Sequence, residues 1–475
     1  MPPPQAPAPS VMPPSMAEIK PLPQAFPPRA KEKTLDDHVE DFLAKTSSEV
    51  PSPDSVAPSV GGLRLLARMR AWKKVKVLAE QLQNAAIDDG DIERKDGTIH
   101  LYSFFAKLKL DRPPFTELRT ELSTFLGGSV YTSSGGADGG KVMRALRLLK
   151  IELQQYEGEE GTQLCLNELG HLERDLFTRA RKAGDDESLL WWRRVAMSLV
   201  NAAVRTGNWA IALALLEKLR RRRTSPMQEG QLSRQRKHAY DVEMLSRIGK
   251  VFLQMGNLEE ASFFFDRAAA VDKDQRLSQA AAATSTLNAP SPGRERLESS
   301  PRVHLNLGLL AFAKSDYRGA MDIFQAVIES ERRRQSERRF SFDSAGSSAL
   351  SSSSSALDAF EAGASAKSGD SFGVLSTFFC GLDIEENVMV EAVNNFAISA
   401  MYTCELATAV KTLEDLIKED PTAHMVDAVV FNLCTMYELS CDNTVTNRRK
   451  RVLQEVASRF CLHDIAELSF RITSS

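Results

Sequence analysis

The sequence predicts an all-α chain: a TPR-like solenoid of helix-turn-helix units from about residue 61, with a disordered N-terminal tail and long disordered insertions. Three observations predict it. Four segments place a small residue and, twelve positions later, an alanine just past a turn signal: Val200/Ala212 across Gly207-Asn208-Trp209, Gly249/Ala261 across Gly256-Asn257-Leu258, Gly308/Ala320 across Ser315-Asp316-Tyr317, and Ala397/Ala409 across Cys404-Glu405-Leu406. An apolar residue follows each alanine by four positions (Leu216, Phe265, Phe324, Leu413), and Ala268 adds a second small site in the clearest copy. The distance between units varies while the spacing inside them stays fixed.

Small residues belong where helix A of a unit crosses helix B closely, with the leucine or phenylalanine filling the space beside them. This is the tetratricopeptide (TPR) pattern. The repeat alanines lie 49, 59 and 89 residues apart. A bare unit takes about 34, so about 15, 25 and 55 residues are inserted, always between units. Stacked units present extended surfaces to other proteins, and the repeats argue against an enzyme.

The elements follow in order. Residues 1 to about 30 are proline-rich and favour extended conformations that build no core. Thr34–Lys45 carries Val39, Phe42 and Leu43 on one face and is expected to be a nascent helix in a disordered 1–60 tail, with a small docking motif as the alternative. Leu63 to Leu82 reads as one helix with a stripe of Leu66, Met69, Trp72, Val75 and Leu78. Leu101–Leu110 and Phe115–Leu126 are short helices broken by Pro113-Pro114, and residues 127–140 form a glycine/serine loop. Val142–Gln155 and Leu164–Lys182 read as an antiparallel pair that completes an N-terminal helical region, 61–188.

The solenoid, 189–475, is expected to be interrupted by linkers at about 224–240 and 274–300. A serine-rich disordered insertion at about 335–376 contains Ser351–Ser355 without a break. Val388–Asp420 makes a full unit, and Ala428–Ser440 with Arg451–Phe460 makes another. A last helix, Asp464–Ile472, caps the array.

A net charge of −3 supplies no field that draws the chain to nucleic acid or anionic membrane. The six cysteines include no CxxC pair, which fits reduced structural thiols in a cytoplasmic protein. No charged region followed by an apolar stretch opens the chain, and no apolar run approaches the roughly 18–20 residues of a membrane span. Gly135–Lys141 fits GxxxxGK, but Val142 stands where the magnesium-binding hydroxyl belongs and no buried strand precedes it, so a linker is expected. The histidines show no ligand spacing and no catalytic motif occurs. No catalytic, metal or cofactor residue is therefore expected.

Three asparagines, Asn306, Asn395 and Asn432, sit two residues before the small position of successive helices A (Gly308, Ala397, Cys434). They are candidate groove contacts for the backbone of an extended peptide, with an internal packing role as the alternative. Basic clusters at Arg220–Arg223 and Arg332–Arg334 are expected to end helices B, where cations offset the helix dipole. Arg222-Arg223-Thr224-Ser225 and Arg338-Arg339-Phe340-Ser341 also look like basic-directed kinase sites, which makes Ser225 and Ser341 candidate phosphosites.

Several stretches beyond the generic repeat carry a family resemblance: Val142-Met143-Arg144 through Ile151–Tyr156, Leu190-Trp191-Trp192-Arg193, Leu245–Lys250 with Leu253–Asn257, and Val430–Leu439. Together they resemble the TPR subunit-12 family of the transport protein particle (TRAPP) complex, over about residues 61 to 475. The resemblance implies a non-catalytic scaffold subunit with other TRAPP subunits as partners, and Rab GTPases and membranes reached indirectly. It implies vesicle tethering and traffic from endoplasmic reticulum to Golgi, with a possible part in autophagy, and a peripheral location on those membranes. The proline-rich tail and the serine-rich insertion have no counterpart in the family. The rival expectation is a free TPR adaptor of the co-chaperone kind, for which the helices A offer asparagines but only isolated basic residues, Arg247 and Arg302.

Overall fold

The structure, a computed structural model, describes residues 33–44, 46, 53–89, 97–110, 115–127, 137–183, 186–221, 231–284, 300–346 and 388–472. Among these the chain is all-α, without strands. A first helix, α1 (Leu35–Leu43), precedes an N-terminal group: α2 (Val60–Arg68), α3 (Trp72–Asp89), α4 (Thr98–Leu110), α5 (Thr116–Gly127), α6 (Ala137–Leu153) and α7 (Gly158–Ala183). The repeat units follow as pairs: α8 (Asp186–Arg205) with α9 (Trp209–Arg221), α10 (Gln231–Gln254) with α11 (Leu258–Thr284), and α12 (Pro301–Ala313) with α13 (Tyr317–Gly346). Next come α14 (Val388–Tyr402) with α15 (Leu406–Glu419), the single turn α16 (Pro421–His424), and α17 (Asp427–Ser440) with α18 (Asn443–Arg459).

One local device explains the fixed spacing. Seven residues after the small position, each helix A ends on a left-handed residue: Gly207 (φ 70°), Gly256 (φ 78°), Ser315 (φ 64°) and Cys404 (φ 64°). The next amide reaches back five residues, as in Asn257 N to Phe252 O (2.9 Å) and Glu405 N to Ala400 O (2.8 Å), so the last carbonyls of helix A are satisfied. That next residue then caps helix B: Asn257 Oδ1 accepts from Glu260 N and Asp316 Oδ1 from Gly319 N. The alanine twelve positions on therefore falls one turn into helix B, opposite the small residue of helix A.

The close crossing is visible at two glycines. A Cβ on Gly249 would lie 2.4 Å from Cε1 of Phe265, and one on Gly308 would lie 2.4 Å from Cε1 of Phe324. Ala212, Ala261, Ala320 and Ala409 are fully buried beside them. The same spacing continues into the last pair, where Cys434 is followed by Thr446 and then, in the phenylalanine slot, by Lys450. Lys450 is buried there, its Nζ donating to Glu438 Oε1 (2.5 Å) and to the Arg471 carbonyl (2.8 Å).

Helices A pack on one another in succession (α10 on α12, α12 on α14, α14 on α17), whereas helices B pack chiefly on the A helices to either side. The A layer therefore lies on the inside of the curve. One core runs from Leu63 to Val251 and a second from Leu305 to Phe470, so buried apolar side chains continue across residue 188 without a break.

Several expectations need correction. Leu63 to Leu82 is two helices rather than one: Arg70 adopts φ 58° and terminates α2 with the same back-bonded turn, Ala71 N to Leu66 O (3.0 Å). The stripe is real, since Leu63, Leu66, Trp72, Val75 and Leu78 are all buried, but the chain turns within it. α7 pairs mainly with α8 rather than with α6. Helix α13 runs on to Gly346, past the expected start of the insertion near 335, and Arg332–Arg334 therefore lie inside it rather than at its end. Likewise α10 and α11 reach into the expected linkers, and α6 begins inside the expected 127–140 loop. The terminal segment is a short 3-10 helix, Glu467–Phe470, and not an α-helix over Asp464–Ile472. It still covers α17, with Ser469 Oγ donating to Asp427 Oδ1 (2.7 Å) and Phe470 buried.

The tail segment is the largest departure. α1 is not merely nascent: Val39 is fully buried in the second core, and the helix lies against α18. The alternative expectation, a docking motif, describes it better.

Candidate interaction face

The inner layer of helices A carries two polar ladders, each set by one register. Six residues before the small position stand Glu243 in α10, Arg302 in α12 and Glu391 in α14. Arg302 joins the other two, with Nε to Glu243 Oε2 at 3.2 Å and Nη1 to Glu391 Oε2 at 3.0 Å. Arg247 pairs with Glu243 (2.6 Å) and Lys250 with Glu391 (3.4 Å), so charges alternate across three units. Burial alone would raise the Glu391 pKa, but Lys250 and Arg302 outweigh it and hold the carboxyl below its usual range.

The second ladder uses amides. Asn306 Nδ2 donates to Ser246 Oγ at 2.7 Å, and Asn432 Nδ2 donates to Asn394 Oδ1 at 2.8 Å. In both, a residue two before the small position reaches the residue three before it in the preceding helix A. Between those bonds stands Asn395, half-buried, whose counterpart on α12 is the apolar Leu305. Asn306 is 1% exposed, and its Nδ2 is committed within the array. Asn395 and Asn432 are half-buried on the inner layer.

The sequence missed the partners Ser246 and Asn394. The signal was available, since both occupy one repeat register.

Arg247 and Arg302 face carboxylates of the array itself, so neither presents a ready clamp for a peptide's acidic end. Ser225 lies outside the described residues, and the backbone of Ser341 lies within α13. Among the cluster arginines, Arg220 and Arg221 both pair with Glu217, whose carboxyl they pull down to about 2. Burial pushes the thiols of Cys165 and Cys434 up, to about 11 and about 12, which suits inert packing side chains. Cys380 lies outside the described residues. Among the described residues no group of histidine, cysteine and carboxylate side chains is gathered for a metal, and no helix is long and apolar enough to cross a membrane.

A second site joins the chain's two folded ends. Arg70, on the turn after α2, donates through Nε and Nη2 to the two carboxylate oxygens of Asp464 (3.0 and 2.8 Å). Its Nη1 donates to the carbonyls of Thr422 (3.0 Å) and Met425 (2.9 Å). His463 sits beside this clasp, its pKa lowered by burial and then by Lys73.

A human protein named trafficking protein particle complex subunit 12 is 22% identical over 453 residues, covering 88% of this chain and 49% of the relative. This chain is similar to subunit 12 of the trafficking protein particle complex. The mouse protein of that name is 22% identical over 451 residues, covering 88% of the chain and 45% of the relative. The chain thus spans about half the length of the subunit 12 proteins it matches. No protein-family model matches it. The resemblance read from the sequence stretches agrees with these two relatives.

Proposed function

We propose that the chain is a non-catalytic scaffold subunit of a TRAPP particle, supporting vesicle tethering and traffic between endoplasmic reticulum and Golgi, and autophagy in one assembly form. The observation that carries this reading is a similarity spread over most of the chain, not along one generic repeat. The physical arrangement is compatible with the role. Units stacked on shared cores and cross-linked by alternating charges form a preorganised surface, which lowers the ordering cost of holding neighbouring subunits. On this reading residues 1–60 act as a tail, 61–188 and 189–475 as one continuous support, and the serine-rich stretch as a spacer, with Ser225 and Ser341, the latter on α13, as phosphorylation sites. Among the three asparagines Asn395 is the one proposed to meet a partner's backbone, since Asn306 and Asn432 already donate within the array. Membranes and Rab GTPases are reached through other subunits.

The experiment is affinity purification of the tagged full-length chain from native cytosol, followed by size-exclusion chromatography and mass spectrometry. Co-elution with the small core subunits of the particle is the expected result. Recovery with chaperones alone would favour the free-adaptor reading.

A further inference from the structure

Helix α1 is held by very little. Thr34 caps it through a reciprocal box, its Oγ1 accepting from Asp37 N and its own N–H donating to Asp37 Oδ2. Beyond the cap, Val39 is its one fully buried side chain, with Phe42 and Leu43 half-buried against the same core. Around these the contacts are ionic and exposed: Arg459 of α18 pairs with Asp36 (3.0 Å) and Glu40 (2.5 Å), and Lys418 at the end of α15 lies 4.6 Å over the Phe42 ring. Exposed pairs of this kind add little, and a nine-residue helix is not stable alone. The contact persists because residues 44–59 tether α1 to α2, which Arg70 pins beside the same end of the array; a short tether gives a millimolar-scale effective concentration.

The receiving surface has a definite chemistry. On α18 the cation that meets α1 is Arg459, and Arg448 and Arg451 add positive charge to the same helix, whose single acidic residue is Glu455. α1 answers with Asp36 and Glu40, while Asp37 closes its own cap and Asp41 pairs with Lys33. We infer that the groove formed by α18 and the C-terminal end of α15 is a docking site for an acidic amphipathic helix, and that residues 35–43 occupy it as an exchangeable plug. The occupant that displaces α1 is a helix of another polypeptide with the same pattern: an apolar residue entering the second core, a carboxylate three residues before it and one directly after it for Arg459, and an aromatic residue three later for Lys418. This inference stands apart from the trafficking assignment.

The test uses the full chain and a fluorescein-labelled peptide of residues 33–44, read by fluorescence anisotropy. The double variant Val39→Asp/Phe42→Asp should empty the groove and leave the chain folded. It should bind the peptide at least about tenfold more tightly than the wild-type chain, the factor by which a plug in place nine-tenths of the time masks a site. Adding Arg459→Glu should remove that binding. Circular dichroism and gel filtration of the double variant serve as the second readout. Equal peptide binding by wild type and double variant would overturn the inference. So would loss of the folded state in the double variant, which would make α1 part of the core. A wild-type dimer dissolved by excess peptide would place α1 in a second copy and overturn the in-chain plug.

Discussion

Arg70 grips Asp464 with two parallel hydrogen bonds although 394 positions separate them, and the same guanidinium closes on the carbonyls of Thr422 and Met425. Charge-assisted bidentate bonds are the strong ones, and both side chains are largely shielded. The array is thus held end to end, with the first folded helices against the last turns. Arg70→Ala should cost about 2–3 kcal/mol, the usual loss for a shielded bond to a charged group. Hydrogen exchange should rise at 422–425 and 461–464 while the repeat cores stay protected. Arg70→Gly separates the effects, because it relieves the left-handed backbone and still loses the clasp. Unchanged exchange at 422–425 in both variants would show that the ends are held by something else.

The crossing of helices A and B tolerates no methyl at its two glycines. Gly249→Ala and Gly308→Ala should each destabilise by about 1–3 kcal/mol through overpacking against Phe265 and Phe324. Phe265→Leu added to Gly249→Ala should recover part of the loss, which a thermal melt of the single and double variants will read.

Two of the four repeat turns place a side-chain-bearing residue where the other two have glycine. A non-glycine residue in left-handed geometry costs roughly 1–2 kcal/mol, and glycine gives part of that back through unfolded-state entropy. Cys404→Gly and Ser315→Gly are therefore expected to stabilise by about 0.5–1 kcal/mol, while Cys404→Val should destabilise. A fall in melting temperature for both glycine variants would contradict the turn assignment.

The clasp should respond to mild acid. Burial, and after it Lys73, lower the pKa of His463, outweighing the Cys461 backbone and Asp464, which favour the charged ring. The folded state therefore favours the neutral ring. That preference costs nothing above the unfolded value near 6.5, and stability is lost as pH falls from there toward the lower folded value. Protection at 461–464, meaning exchange relative to the intrinsic rate at each pH, should fall between pH 7.5 and 5.5 in the wild type, and less so in His463→Asn. An identical pH profile in the two proteins would remove His463 from the account.

The sequence spoke clearly where structure is local. The twelve-residue spacing, the turn signals and the buried alanines are consequences of one turn and one crossing, and both lie within a few residues of chain. Elements set by distant contacts were not readable. Nothing near Val39 announces that α18 will bury it, and nothing near Arg70 announces Asp464. The break at Arg70 was hidden because its left-handed turn uses arginine instead of glycine, inside an unbroken apolar stripe. For the candidate face, the asparagine register was visible but its use was not. Asn306 and Asn432 bond the neighbouring helix A, and that depends on what stands one register earlier: Ser246 and Asn394 offer oxygen where Leu305 does not. In the fifth unit a lysine, Lys450, fills the phenylalanine slot, so the unit was readable from its helices but its second helix starts at Asn443 and not at Arg451.

The central claim is that this chain works inside a TRAPP particle. Native gel electrophoresis of untagged cytosol, probed with an antibody to the chain, tests it most directly. The account predicts one band at the size of the large particle, lost when a small core subunit of that particle is depleted. A band at monomer size, unchanged by that depletion, would contradict it.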